Sequence, residues 1–292
     1  GMVVIDMSNE NFDKYIDIAI RPNGNILVVG ETVQSGNLNI MITEFRPDGS
    51  ENPNFGVLGF TRMDLGEDAN EVVKGIHLYD NGKCLVYGMV MGANNLQYSF
   101  VVKFNEAGIP DNLFGITGIY KWDETEACSL EDLLVLPNGK IIIAGYEMVG
   151  GDARATLVGL NENGTLDIAF GTGGKAGPAL TLNQEDGFMC IQLSKDKTKL
   201  IAAGLTMGPS DNMLVASFSL SGGMDIDFGN SGFTEIDLSI GGDEFVNDMA
   251  IQPDGKILLA GNSNGSSAVV RLSDKGEMDT DFNNTGSWTK DI

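Results

Sequence analysis

Residues 251–261 read IQPDGKILLAG, and residues 20–30 read IRPNGNILVVG. Each opens on a turn in which Pro fixes φ and Gly tolerates a positive φ. The apolar run that follows shows no polar alternation, as a strand does when both its faces are covered. Three further runs, CLVYG, IIIAG and LIAAG, place the closing glycines at Gly30, Gly88, Gly145, Gly204 and Gly261, at intervals of 58, 57, 59 and 57 residues. A second landmark keeps step downstream: NFG at Phe55, LFG at Phe114, AFG at Phe170, DFG at Phe228 and DFN at Phe282. Two landmarks recurring in register define a repeat architecture.

Inside one unit the period is that of strands. In the last unit VNDMAIQ alternates, PDG turns the chain, KILLAG and SAVVRL follow, and SWTKDI adds a short fourth stretch. The expected fold is all-β: a five-bladed β-propeller with four antiparallel strands per blade, one domain over 1–292. The expected units are approximately 3–60, 61–118, 119–175, 176–232 and 233–292. A ring is expected over a linear stack because none of the five apolar runs is more polar than the others, so none reads as a cap. The fourth-strand motif occurs at both ends, as VVIDM at 3–7 and WTKDI at 288–292, besides TRMDL at 61–65 and TEIDL at 234–238. Six copies serve five units, so one terminal copy is expected to complete the final blade by pairing with strands from the other end of the chain.

These residues carry a resemblance. PDGKILLAG…VVRLSDKGEMDTDFNNTG and PNGKIIIAG…LVGLNENGTLDIAFGTGG resemble the delta-60 repeat, a β-propeller repeat of bacterial proteins, over nearly the whole chain. Unit four departs in SKDKTKLIAAG, with Thr198 where the turn glycine is expected, and unit one has Asn52 where the others have Asp111, Asp167, Asp225 and Asp279. The resemblance implies a propeller, frequently part of large exported proteins, and brings no catalytic residues with it.

The charge balance narrows the partners. Lys and Arg total 18 against 41 Asp and Glu, a net charge of −23. Such a surface repels phosphate backbones and anionic headgroups, so nucleic acid is not an expected partner. No run of 18 apolar residues suggests membrane insertion. Gly1 ahead of Met2 reads as the remnant of a cleaved tag. Cys84, Cys128 and Cys190 contain no CxxC pair and read as buried, unpaired thiols. His77, the only histidine, lies in the strand-like GIHLY without a nucleophile at a spacing that would make a triad.

Two sets of side chains are candidates for function. The aspartates of the G-x-x-D-x-x-F element, Asp111, Asp167, Asp225 and Asp279, offer carboxylates for calcium, the one cofactor the pattern suggests. The competing reading has each carboxylate cap a turn while the Phe plugs the space between blades. The second set lies where loops after strands two and four share a rim. It combines Met89, Met91, Met148 and Met207 with Glu67, Asp68, Glu124, Glu126, Glu185, Asp186, Asp243 and Glu244. Adaptable thioethers beside carboxylates suit a basic or cationic partner, against ordinary solvated loops as the alternative. The expected function is a non-enzymatic binding or structural propeller, secreted, periplasmic or on the cell surface, with a protein or glycan ligand. The rival is a carbohydrate-active propeller with carboxylates converging on its axis, which needs two carboxyls about 5–10 Å apart.

Overall fold

The computed structural model describes residues 13–66, 69–92, 97–122, 128–178, 185–208, 210–239 and 241–291. They belong to two compact units, one spanning 1–130 with 162–165, the other 131–161 with 166–292. Among the described residues there is no helix, and twenty strands form five antiparallel sheets of four, each from consecutive strands. Blade one comprises β1 (Asp13–Ile20), β2 (Ile26–Gln34), β3 (Asn37–Phe45) and β4 (Phe60–Met63). Blade two comprises β5 (Asn70–Leu78), β6 (Cys84–Met91), β7 (Gln97–Phe104) and β8 (Ile119–Trp122). Blade three comprises β9 (Cys128–Val135), β10 (Ile141–Val149), β11 (Asp152–Leu160) and β12 (Lys175–Ala176). Blade four comprises β13 (Glu185–Leu193), β14 (Lys199–Met207), β15 (Asn212–Ser219) and β16 (Phe233–Ile236). Blade five comprises β17 (Glu244–Ile251), β18 (Ile257–Ser263), β19 (Ser266–Leu272) and β20 (Ser287–Lys290). The fold is that of a five-bladed β-propeller.

The last blade corrects the expected strand exchange. β20 pairs with β19 of its own blade, Val269 opposite Trp288 and Val270 opposite Ser287. Continuous chain therefore supplies all four strands. The other terminal copy, residues 3–7, lies outside the described residues.

The second strands explain the apolar runs. CLVYG, IIIAG and LIAAG are buried at every residue, so both faces are covered in blades two, three and four. In blade one Ile26 and Val28 are only half-buried, and Ile18 and Ile20 of the adjacent strand are 61% and 69% exposed. In blade five Leu258 is half-buried and Ala260 is exposed, while Ile257 and Leu259 on the opposite face are buried. Burial at every residue thus holds for three runs of five.

Neighbouring blades meet through one repeated joint. The ring of Phe55 lies under Gly108, Phe114 under Gly164, Phe170 under Gly222 and Phe228 under Gly276, and all four rings are at most 2% exposed. A Cβ at Gly108 would stand 2.5 Å from Cζ of Phe55, and its φ of +76° independently disfavours any other residue. The glycine after each Phe donates its N–H to the same neighbouring turn: Gly56 to Ala107 O, Gly115 to Asn163 O, Gly171 to Ser221 O and Gly229 to Lys275 O, at 2.7–2.8 Å. Burying a Phe contributes roughly 1.5–3 kcal/mol, so four such joints are a large share of a domain's net stability.

In unit four the turn differs from the expected substitution. It is one residue longer, and Lys197, not Thr198, takes the left-handed conformation at φ +58°. Asp196 compensates by accepting from the Thr198 N–H and the Ser194 hydroxyl, which hold its carboxyl below the usual range.

Phe282 occupies the equivalent position in blade five but is only half-buried, with the Arg271 guanidinium 5.0 Å from its ring centroid. Phe228→Ala is therefore expected to lose about 3–5 kcal/mol and Phe282→Ala less than about half as much, read from denaturant midpoints. Equal losses would refute the difference in packing.

Candidate functional site

The repeated aspartates are engaged in ion pairs. Lys83 Nζ lies 2.9 Å from Asp111, Lys140 2.5 Å from Asp167, Lys199 3.0 Å from Asp225 and Lys256 2.8 Å from Asp279. Each lysine opens the second strand of its blade, and each aspartate precedes the Phe of the same blade. The second carboxylate oxygen accepts the amide two residues on, Leu113, Ala169 and Asp281, at 3.3 Å. Lys83 thereby holds the Asp111 carboxyl below its ordinary range, as Lys256 does for Asp279. Unit one exchanges both partners: Asn25 and Asn52 donate to the same Glu44 oxygen, while Arg21 lies 3.1 Å from its other oxygen. These contacts give the four aspartates a turn-capping role. Among the described residues no cluster of three His, Cys, Asp or Glu groups has the geometry to hold a metal ion.

The rim candidates divide. Glu67, Asp68, Glu124 and Glu126 lie outside the described residues. In the second unit Glu185 and Met207 face each other across β13 and β14, both exposed, with Met207 at 41%. Asp243 is also exposed, and Met148 is half-buried beside Val149 at 51%. In the first unit Met91, 46% exposed, ends β6 opposite Asn70.

Asp186 and Glu244 are not on that surface: they are 4% and 0% exposed. Both begin first strands, and period-two alternation turns the residue after an exposed one inward. Glu244 accepts from the hydroxyls of Ser239 and Ser263 at 2.6 and 2.8 Å, tying a loop to its blade. Burial raises the Asp186 carboxyl to about 7, against an opposing pull from Arg154. Glu71 holds the matching position in blade two and is wholly buried. Burial, with repulsion from Asp64, pushes it to about 8. A raised carboxyl pKa is what a general acid requires, and both groups are buried, Glu71 completely and Asp186 nearly so.

A set of first-strand residues lay unnoticed in the sequence. Asp17, just past a bulge, and Asp132 each accept the next residue's amide through Oδ1 and an amide of the following blade through Oδ2. Those inter-blade bonds, from Ile76 and Ile191, measure 3.0 and 2.9 Å. Glu31 similarly accepts the Val73 amide at 3.0 Å. The only available signal was an aspartate in alternate units, Asp17, Asp132 and Asp248. The three cysteines are buried and form no disulfide, and burial raises the Cys84 thiol to about 12. His77 is half-buried, its ring edge-on to Tyr79 at 5.0 Å, and burial lowers its pKa. A cleft of about 280 Å³ in the second unit lies at the opposite rim, beside the turns, and mixes Lys195, Lys199 and Lys275 with Asp225 and Asp254.

Consecutive four-stranded blades joined by a repeated aromatic plug define a β-propeller built from one repeat. Residues 136–170 and 252–282 match the family model described as a domain of unknown function (DUF5122) beta-propeller, and these segments carry the turn, the apolar run and the Phe of units three and five. The match supports a β-propeller repeat, in accord with the resemblance noted above. No curated protein matches it in sequence. Among solved structures it is similar to an α-L-arabinanase of Penicillium chrysogenum, with 11% identity and a TM-score of 0.55 over 87% of this chain and 77% of that one. It is also similar to the periplasmic gluconolactonase PpgL of Pseudomonas aeruginosa, with 16% identity and a TM-score of 0.50 over 96% and 70%. At such identities the likeness concerns the fold alone.

Two outcomes are expected. A carboxyl whose folded pKa lies above its unfolded value stabilises fully below the unfolded pKa, and that contribution is lost as pH rises through the folded pKa. Stability should therefore fall from about pH 5 to about pH 8, and Glu71→Gln or Asp186→Asn should flatten the fall, gaining roughly 1–3 kcal/mol at the upper end. Unchanged slopes in thermal unfolding across that range would count against this. Chelator should leave the unfolding temperature unchanged, because a native-state metal stabilises by mass action; a drop would restore calcium to the repeated aspartates.

Proposed function

We propose that the chain is a non-enzymatic binding propeller, exported or at the cell surface, that engages a basic protein partner through the rim at its second-to-third-strand hairpins. One observation carries this reading. The position three residues past the repeat glycine holds Met91, Met148 and Met207, and two of these are over 40% exposed, with Glu185 directly across from Met207. Folding does not require a thioether there, since blade five has Asn264 at the same position. Flexible Met side chains adapt to a partner surface, and flanking carboxylates favour cationic ones. The repeated polar residues, by contrast, are used in turns and joints. With 41 acidic residues against 18 basic ones, the charge of the chain supports a cationic partner and the solubility an exported protein needs.

A lysine-rich peptide serves as the probe. Glu185→Gln with Asp243→Asn should weaken its binding several-fold and flatten the salt dependence, and Met207→Ser should weaken it further. Unfolding should shift by no more than about 0.5 kcal/mol, as at other exposed sites. Undiminished binding by the triple variant would remove this rim from the proposal.

A further inference from the structure

Two positions in each blade stand beside the turns, and backbone bonds fix their equivalence. One opens the turn between the first two strands: Arg21, Tyr79, Leu136, Ser194 and Gln252. The other, near the end of the third strand, donates its amide to the glycine just before the fourth: Glu44, Lys103, Gly159, Ser217 and Arg271.

At the first two joints one of these positions sends a cation into the next loop. Arg21 is 8% exposed, and its guanidinium donates to Glu106 O at 2.8 Å while lying 5.7 Å from the centroid of the Phe55 ring. From the other position Lys103 Nζ donates to Glu162 O at 3.4 Å and lies 5.5 Å from the centroid of Phe114. The two carbonyls are equivalent, each two residues before the glycine that covers the plug, Gly108 and Gly164. At the third joint the space is filled by apolar groups. Leu136 is buried, and the Phe170 side chain stands 2.6 Å from where a Cβ on Gly159 would be.

Blade four alone has serine at both positions. Ser194 Oγ donates to Asp196 at 2.7 Å and Ser217 Oγ to Asp225 at 3.1 Å, so each hydroxyl is turned into its own blade. The cleft of about 280 Å³ is lined by these serines, by buried Ile201 and Ile257, and by turns of blade five, all within the second compact unit. The carbonyl equivalent to those of Glu106 and Glu162 is that of Asp274, which lines the cleft, and among the described residues no donor reaches it. Five aspartates line the cleft against three lysines, and Lys199 is already paired with Asp225. The field therefore favours a cation.

We propose that this cleft binds an alkylguanidinium or alkylammonium group, of the length of an arginine or lysine side chain, which donates to the Asp274 carbonyl. The ligand takes the place that Arg21 and Lys103 hold at the first two joints, with Asp227 and Asp254 contributing negative charge. This site lies on the rim opposite the hairpins and does not rest on the function proposed for them.

Titration calorimetry with agmatine and with a capped Gly-Arg-Gly peptide tests it. The measurements use the full chain with Glu185→Gln and Asp243→Asn in place, so that the hairpin rim contributes nothing. Both probes should bind, and exchanging arginine for neutral citrulline should weaken the peptide at least about tenfold. Ser194→Arg, which supplies the filler of blade one, should weaken both probes at least about tenfold. Ser217→Lys, the filler of blade two, should do the same without disturbing the Asp196 turn. Asp254→Asn with Asp274→Asn should weaken binding several-fold and flatten its salt dependence. Tighter binding of the peptide assigns the site to a protein side chain, and tighter binding of agmatine to a free amine; either supports the site. Undiminished binding by both filler variants, equal binding of the citrulline peptide, or no binding of either probe would overturn it.

Discussion

A buried phenyl ring held beneath a left-handed glycine of the next blade is the constraint from which the rest of this structure follows. The ring supplies apolar burial, the glycine leaves room for it, and the following amide donates into the same turn. Each half is useless without the other, so blade must follow blade in one direction and at one register. The joint is heterologous in the sense used for subunits: it joins unlike surfaces.

Around that joint the polar residues settle into two roles. Those that recur along the chain close turns: a lysine entering the second strand neutralises the aspartate ahead of the Phe, and in blade one two asparagines share a Glu44 oxygen while Arg21 pairs with the other. Those that recur in alternate blades latch first strands together through Asp17 and Asp132. What is left for a partner is what neither role consumes, chiefly the methionines and carboxylates of the hairpin rim. The buried carboxyls of Glu71 and Asp186 stand apart, since burial raises their pKa values to the neutral range and couples stability to pH.

Some of this was legible in the residues. Phe114 and Gly164 announce a repeated contact by recurring in step, and Asp111 reads as a turn cap from its place three residues after Gly108. The lysine partner of that aspartate was printed in the same repeat, yet only strand pairing brings Lys83 and Asp111 together. Asp186 and Glu244 read as rim residues from their acidity, whereas both lie at the start of a strand and point inward. Asp17 and Asp132 went unnoticed because a bulge sets which face they occupy, and no local pattern marks the bulge.

The chain alone determined the number of blades, their four-stranded make-up and the residues that plug them, because burial and turn geometry act locally and recur at a fixed period. Tertiary structure decided which carboxylates are latched, neutralised or protonated, since each outcome depends on a partner many residues distant. An apolar run states that a strand prefers to be buried on both sides, but only the packed neighbours determine whether it is.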